Sequence, residues 1–373
     1  MVPLTMVNYE IIIQIVFAAI ISFILVFISI PTILTVAKYK NLFDEPGTRH
    51  VHKHRVPTLG GLAIFLGIIF TYSLFRDWFE YTSIPFLIPA LLIIFAIGFK
   101  DDILITAPII KLLGQLLAAF IIVGFGDIRI TNFHGFFGLT PDYFTSLFFT
   151  VLFIVFIVNG FNLIDGVDGL AGITGIITVS SFSVWFFINN IAFLSVIGAI
   201  ICGSLIAFLY FNLFSKKQKI FMGDTGSLII GFLISIMAIH FMEYNIPEKR
   251  AELNYTMTSA PAVAMGILII PVVDTVRVFF LRLSKGRSPF AADKIHIHHR
   301  LLTLGFSHIQ IASVIGACNS FFVIISFLLK DMGMIWLILL NFSLGILLFQ
   351  IPALFIKRKK RKLLTRKKKR AQY

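Results

Sequence analysis

Charged residues are scarce in this chain: Asp, Glu, Lys and Arg make up 13% of 373 residues, against 58% apolar ones. That is too little charge to solvate the surface of a water-soluble globule. Cysteine is nearly absent, and Cys202 and Cys318 fall in two separate apolar runs, which excludes a disulfide framework and a thiolate metal cluster. There is no repeat of fixed period and no polar soluble domain, and the basic C-terminal tail is the only low-complexity segment. Acidic side chains are the rarer sign, 18 against 32 Lys and Arg, for a net charge of +14. No nucleic-acid-binding module accompanies that excess, so no nucleic-acid partner is expected.

What is abundant is uninterrupted apolar sequence. A hydrocarbon core of roughly 30 Å takes about 20 apolar residues to cross as a helix. Eleven runs come near that length: 11–36, 58–75, 84–98, 109–124, 143–163, 170–188, 192–211, 226–241, 262–283, 308–329 and 333–355. The expected fold is therefore all-α, a polytopic integral membrane protein in a lipid bilayer, with residues 1–356 as one transmembrane domain. The first run has no basic stretch before it and no small-residue cleavage site after it, so it reads as a retained span. The tail KRKKRKLLTRKKKR at 357–370 carries eleven Lys and Arg. Segment 357–373 is expected to be cytoplasmic and without fixed structure, and an odd number of spans then leaves the N-terminus outside. Threading the remaining loops gives a check, because only Arg76, Arg129, Lys249, Arg250 and Lys330 of the 32 basic residues fall outside. The tail by itself reads as a topology anchor on an anionic leaflet.

With sides assigned, every unusual polar cluster lands on the inner face. GFKDDIL (98–104) ends the third run, NGFNLIDGVDGL (159–170) ends the fifth, KIFMGDTGSL (219–228) leads into the eighth, and PFAADKIHIHHRLLTLG (289–305) follows the ninth. Asp101 and Asp102 are adjacent carboxylates that repel unless a cation compensates, and Lys111 is a candidate partner; a solvated helix end is the bland alternative. Asn159, Asn162 and Asp165 recur every third residue along one side of a helix, with Asp168 between Gly166 and Gly169 at its end. Oxygen ligands of this kind suit a hard cation such as Mg²⁺. Met222 to Ser227 form a Gly-rich turn before a helix, where anions are favoured; Asp224 fits there as a metal ligand or as part of a helix cap. His296, His298, His299 and Arg300, with Lys285, Arg287 and Lys294, suit a pyrophosphate better than zinc, since no fourth ligand stands at finger spacing. Asp274 stands three residues before Arg277, a spacing that permits an intrahelical pair. The loop DEPGTRHVHKHRVPTLGG (44–61) adds further basic groups and ends on a turn into the second run.

This ordered set, DD, NGFNLIDGVDGL, GDTGS and HIHHR, resembles the polyprenyl-phosphate N-acetylhexosamine-1-phosphate transferases over about residues 44–305. RSPFAADKIHIHHRLLTLG is similar to the branch that transfers N-acetylglucosamine 1-phosphate; the muramoyl-pentapeptide branch usually carries three consecutive histidines followed by Phe-Glu. DTVR at Asp274 is similar to the family's aspartate motif. The resemblance implies a bacterial cytoplasmic-membrane enzyme taking undecaprenyl phosphate and a UDP-N-acetylhexosamine, with Mg²⁺ at Asn162 and Asp224; Mn²⁺ as a substitute and a homodimeric assembly stay open. It also implies catalytic roles for Asp101, Asp102, Asp165 and Asp168, and substrate contacts for Lys111, Asn159, His296, His298, His299 and Arg300. Two rivals stay in view. A secondary transporter would place its polar site near the bilayer midplane in related halves, and no internal symmetry is evident. A CDP-alcohol phosphotransferase would continue its first DG to an Ala-Arg pair, which DGVDGLAG lacks.

Overall fold

A helix satisfies each backbone N–H and C=O within its own segment, which is what a hydrocarbon environment demands, and all the apolar runs take that form. The computed structural model describes residues 4–40, 42, 56–75, 84, 86–104, 106–135, 140–286 and 296–370. The α-helices in them are α1 Leu4–Tyr39, α2 Gly60–Phe75, α3 Leu87–Ile103, α4 Pro108–Phe120, α5 Tyr143–Ile164, α6 Leu170–Ile188, α7 Ala192–Leu209, α8 Gly223–Tyr244, α9 Ala260–Ile267, α10 Ile269–Leu283, α11 Ile297–Leu304, α12 His308–Leu328 and α13 Met334–Arg370. No strand occurs among the described residues.

Each apolar run carries helix. Among the described residues eight helical segments are long and apolar enough to cross a bilayer, nine if α9 and α10 form one broken span. The others are shorter: α2 has 16 residues, and α3 has 17 and runs past the apolar run at 84–98 to include Lys100, Asp101 and Asp102. The run at 262–283, expected as one helix, is bent by 82° between α9 and α10. Pro271 accounts for the break, because its ring opposes the carbonyl four residues back, that of Ile267, and it has no N–H to donate. The released Ile267 carbonyl accepts from Thr178 Oγ1 at 3.4 Å. At the C-terminus, α13 continues through the basic segment to Arg370, where a segment without fixed structure was expected; Lys, Arg and Leu are all good helix formers.

The centre of the molecule is α8, whose residues from Leu228 to Ile239 are buried. It packs against α5, α3, α2 and α6, while α1 packs on α7 and α2 at the side. Small residues allow that close approach: Ser22 Oγ lies 2.5 Å from Ser204 Oγ and donates to the Ile200 carbonyl at 2.8 Å. Ile13, Phe17, Ile20, Ile24 and Ile28 of α1 and Ile110, Leu113, Leu117 and Phe120 of α4 are exposed, the surface a bilayer would cover. Helix alternation brings the end of α3, the start of α4, the end of α5 and the start of α8 to one end of the bundle.

Glycines place α2 and α3 against the first turn of α8. A Cβ on Gly98 would stand 2.6 Å from Thr225 Cα, and one on Gly61 would fall on the Gly226 backbone. The Pro57–Gly61 turn also pairs its backbone with the residues ahead of α8: Phe221 N donates to Pro57 O at 2.9 Å, Gly60 N to Phe221 O at 2.9 Å and Gly61 N to Met222 O at 2.8 Å.

Candidate active site

Four helices converge on one ammonium group. Lys111, in the first turns of α4, directs Nζ onto Asp224 Oδ2 of α8. The same nitrogen lies 3.4 Å from Asn162 Oδ1 of α5 and 3.6 Å from Asp101 Oδ2 of α3. Asn162 turns its amide the other way, donating to Asp224 Oδ1 at 2.7 Å and to Ser227 Oγ at 2.8 Å. The second oxygen of Asp101 accepts from the Thr106 backbone N–H at 2.9 Å and from the Thr106 hydroxyl. Lys111, Asn162, Asp101 and Asp224, separated by up to 123 positions in sequence, are thus in mutual contact.

Asp102 is built in differently from its neighbour. Its carboxylate accepts from the backbone N–H groups of Asp224 at 2.7 Å and Thr225 at 3.0 Å, and from the Thr225 hydroxyl at 2.5 Å. No side chain of α8 itself caps that helix; Asp102 serves as the cap from α3, an anion at the positive end of the helix dipole. Gly223 has φ +70°, and a Cβ there would lie 2.6 Å from Asp102 Oδ1. The anion expected at the Gly-rich turn is therefore supplied by the protein, and the two adjacent carboxylates are separated by use.

Beyond Asn162, α5 ends at Ile164 and the chain turns through DGVDG into α6, with Gly169 at φ +77°. The Asp165 backbone N–H donates to the Asn162 carbonyl at 3.3 Å, while its half-buried side chain makes no hydrogen bond or ion pair among the described residues. Burial of its carboxyl, followed by the charges of Asp224, Asp102 and Asp168, pushes its pKa up to about 8. Asp168 has two partners that sequence reasoning had not assigned to it: Lys219 Nζ at 2.6 Å and His308 Nδ1 at 2.9 Å. Asn159 lies one turn before Asn162 and pairs with Gln115 of α4, donating to Gln115 Oε1 at 2.6 Å.

The histidine segment reaches the site through Asp274. That buried carboxylate takes Arg277 Nη2 at 2.5 Å, the spacing-based expectation, and also His296 Nδ1 at 2.8 Å and the Ile297 N–H at 3.1 Å. Pinned in this way, α11 lays His298 on the DGVDG turn, where a Cβ on Gly166 would collide with the imidazole. Burial, then the neighbouring His299, push the His298 pKa down to about 3, so it is neutral at physiological pH. Arg300 is directed elsewhere: its Nη1 donates to the Phe349 carbonyl of α13 at 3.3 Å. Arg287, Lys294 and the loop 44–55 lie outside the described residues.

Thr106, Gln115, Lys219 and His308 were the participants missed from sequence; Thr225 lay in the expected Gly-rich turn, but its contact with Asp102 was not foreseen. Gln115 had a visible signal, a polar residue four positions after Lys111 inside an apolar run, which places both on one helix face. Thr106 follows Asp101 by five positions, but past the end of α3, where helical periodicity no longer says which way it faces; His308 had no signal, because Asp168 is 140 positions away.

The oxygens of Asp224, Asn162 and Asp101 all face a single cation, here the ammonium. Among the described residues no three His, Cys, Asp or Glu side chains gather closely enough to hold a metal unaided. The donor chemistry, two carboxylates and an amide, nonetheless fits a hard divalent ion whose shell is completed by water and phosphate oxygens.

A family model described as glycosyl transferase family 4 matches residues 84–242, the stretch from α3 through most of α8. The chain is similar to the probable undecaprenyl-phosphate N-acetylglucosaminyl 1-phosphate transferase of Bacillus subtilis strain 168, at 33% identity over 91% of this chain and 92% of that protein. It is 28% identical to the undecaprenyl-phosphate alpha-N-acetylglucosaminyl 1-phosphate transferase of Escherichia coli K12, over 88% of this chain and 90% of the relative. It is 29% identical to the decaprenyl-phosphate N-acetylglucosaminephosphotransferase of Mycobacterium tuberculosis H37Rv, over 74% of this chain and 75% of the relative.

Proposed function

This chain belongs to the polyprenyl-phosphate N-acetylglucosamine-1-phosphate transferases, and we propose on that premise how its polar cluster carries out the family's reaction on UDP-GlcNAc and undecaprenyl phosphate. GlcNAc 1-phosphate is transferred to the lipid, giving undecaprenyl-pyrophosphoryl-GlcNAc and UMP. An oxygen of the lipid phosphate bonds to the sugar-proximal phosphorus as the pyrophosphate P–O bond breaks, and UMP leaves with that electron pair. The observation that carries the reading is the meeting of Lys111, Asp101, Asn162 and Asp224 from four helices at one end of the bundle.

Both reactants are anions, so the first task of the site is to bring like charges together. Lys111 supplies a mobile positive charge for the donor's phosphates. Asn162 and Asp224 would hold Mg²⁺, which when bound neutralises the pyrophosphate and stabilises charge on departing UMP. Asp102 keeps the first turn of α8, and with it Asp224, in place. That leaves Asp101, whose Oδ2 faces Lys111 Nζ at 3.6 Å, as the member of the pair suited to orient the lipid phosphate. A phosphate monoester has a second pKa of about 6 and is already largely dianionic at neutral pH, so its oxygen attacks without a strong base. Direct displacement follows, with inversion at a chirally labelled phosphorus; net retention would instead require an acyl-phosphate on an aspartate.

The finer topology belongs to the same proposal: eleven spans, an outer N-terminus, and the site on the cytoplasmic face of a bacterial inner membrane. It is supported by charge, since the end of the bundle holding the site also carries Lys216, Lys217, Lys219 and Lys285, while Arg129, Lys249, Arg250 and Lys330 lie at the other.

The deciding experiment supplies purified protein with undecaprenyl phosphate, Mg²⁺ and a panel of UDP-sugars and reads UMP release. Lipid-dependent release with UDP-GlcNAc is expected; release without lipid, or none with any sugar, would overturn the reading.

A further inference from the structure

We propose that Lys111 occupies the place of the divalent cation in the resting protein and is displaced onto the donor's phosphates when the metal arrives, so that one side chain couples metal capture to donor capture. The inference rests on the reading of Asn162 and Asp224 as metal-holding residues.

The ammonium is not beside the oxygen cluster but within it. Nζ contacts Asp224 Oδ2 and faces Asn162 Oδ1 at 3.4 Å and Asp101 Oδ2 at 3.6 Å. Those oxygens come from α8, α5 and α3, and the nitrogen comes from α4, so the positive charge is delivered to a site assembled by three other helices. An ammonium is a compact, strongly hydrated point charge that seeks the same hard oxygens as a divalent ion. Without it, Asp101 and Asp224 would face each other uncompensated.

Two cations cannot both sit on Asp224, since their repulsion at such range in a half-dry site is large. Entry of the metal therefore expels Nζ. The lysine can follow, because its head sits on a flexible four-carbon stem in the second turn of α4, which begins at Pro108. Expulsion removes its anionic partner, and the donor's pyrophosphate is the anion that arrives to replace it. The resting protein then binds metal weakly, and donor and metal reinforce each other.

The test reads metal binding alone, with no nucleotide and no turnover. Mn²⁺ is titrated into the purified full chain and followed by its electron paramagnetic resonance. Wild type should bind weakly, and Lys111→Met should bind tighter by about tenfold or more, the effect of removing a like charge that must otherwise be displaced. Lys111→Arg, which keeps the charge, should stay as weak as wild type, and adding Asp224→Asn to Lys111→Met should abolish the gain. Should Lys111→Met fold poorly, Lys111→Gln repeats the measurement with a polar head. Affinity unchanged or weakened in the neutral variants, while Asp224→Asn removes binding, would overturn the exchange and leave the metal reading intact. Mn²⁺ binding indifferent to Asp224→Asn in both backgrounds would overturn the metal reading itself.

Discussion

Residues that look alike in the sequence are put to different uses here, and substitution should separate them. Asp101 and Asp102 are neighbours in one helical turn, yet Asp101 faces Lys111 while Asp102 accepts from two backbone N–H groups and a hydroxyl of α8. Asp102→Ala would leave those α8 donors unsatisfied, at about 1–3 kcal/mol for each group. It should therefore lower thermal stability along with activity. Asp101→Ala should lower activity with a smaller fall in melting temperature, because the Thr106 N–H and hydroxyl that it releases are only part-buried and can turn to water; equal destabilisation by both would refute the division. Asn162→Ala and Asp224→Ala should each abolish UMP release in protein that still elutes as folded material; near-normal turnover in either would remove that residue from the metal site. Of this, the presence of carboxylates at 101, 102 and 224 was legible in sequence. Their pairing was not, because nothing in GFKDDIL indicates that the second aspartate caps a helix whose Asp224 N–H is 122 positions away.

At the scale of elements, the molecule spends polar contacts on holding short segments rather than on the chemistry. Asp274 grips α11 through His296 Nδ1 and the Ile297 N–H, and Asp168 grips the DGVDG turn through Lys219 and His308. Asp274→Ala should free α11, seen as faster amide hydrogen exchange over 296–304 with α5 and α8 still protected; unchanged exchange there would show that packing alone holds the segment. The Asp274–Arg277 pair was readable from its spacing, while the His296 contact was not, since it joins α10 to a loop helix across a segment with no periodic pattern. The bend between α9 and α10 was legible in part: Pro271 is visible inside its apolar run, but a proline in a membrane helix either kinks it or is absorbed by neighbours, and packing chooses.

For the whole molecule, the two ends of the bundle differ in kind. One gathers the carboxylates, Lys111 and α11; the other carries neutral and mixed networks such as the Glu243 carboxylate accepting from the Thr131 N–H at 2.7 Å and hydroxyl at 2.6 Å. The proposed topology makes the first end cytoplasmic. Exposed positions 216 and 249 report on it: in a background with Cys202 and Cys318 replaced by alanine, Lys249→Cys should react with an impermeant maleimide added to intact cells. Lys216→Cys should react only after permeabilisation, and the reverse pattern would invert the orientation.

The sequence by itself determined that this chain is a helical membrane protein, and its ordered motifs were enough for the family. Both are properties of local composition: apolar runs must be helical in lipid, and polar groups next to them must lie where water or substrate can reach. What tertiary structure decided is which of those polar groups meet. Lys111 inside a ring of oxygens, Asp102 as a borrowed cap and Arg300 turned toward α13 all depend on how four or five helices settle against α8. Side-chain contacts between helices arise from packing geometry at distances the chain's own periodicity does not encode.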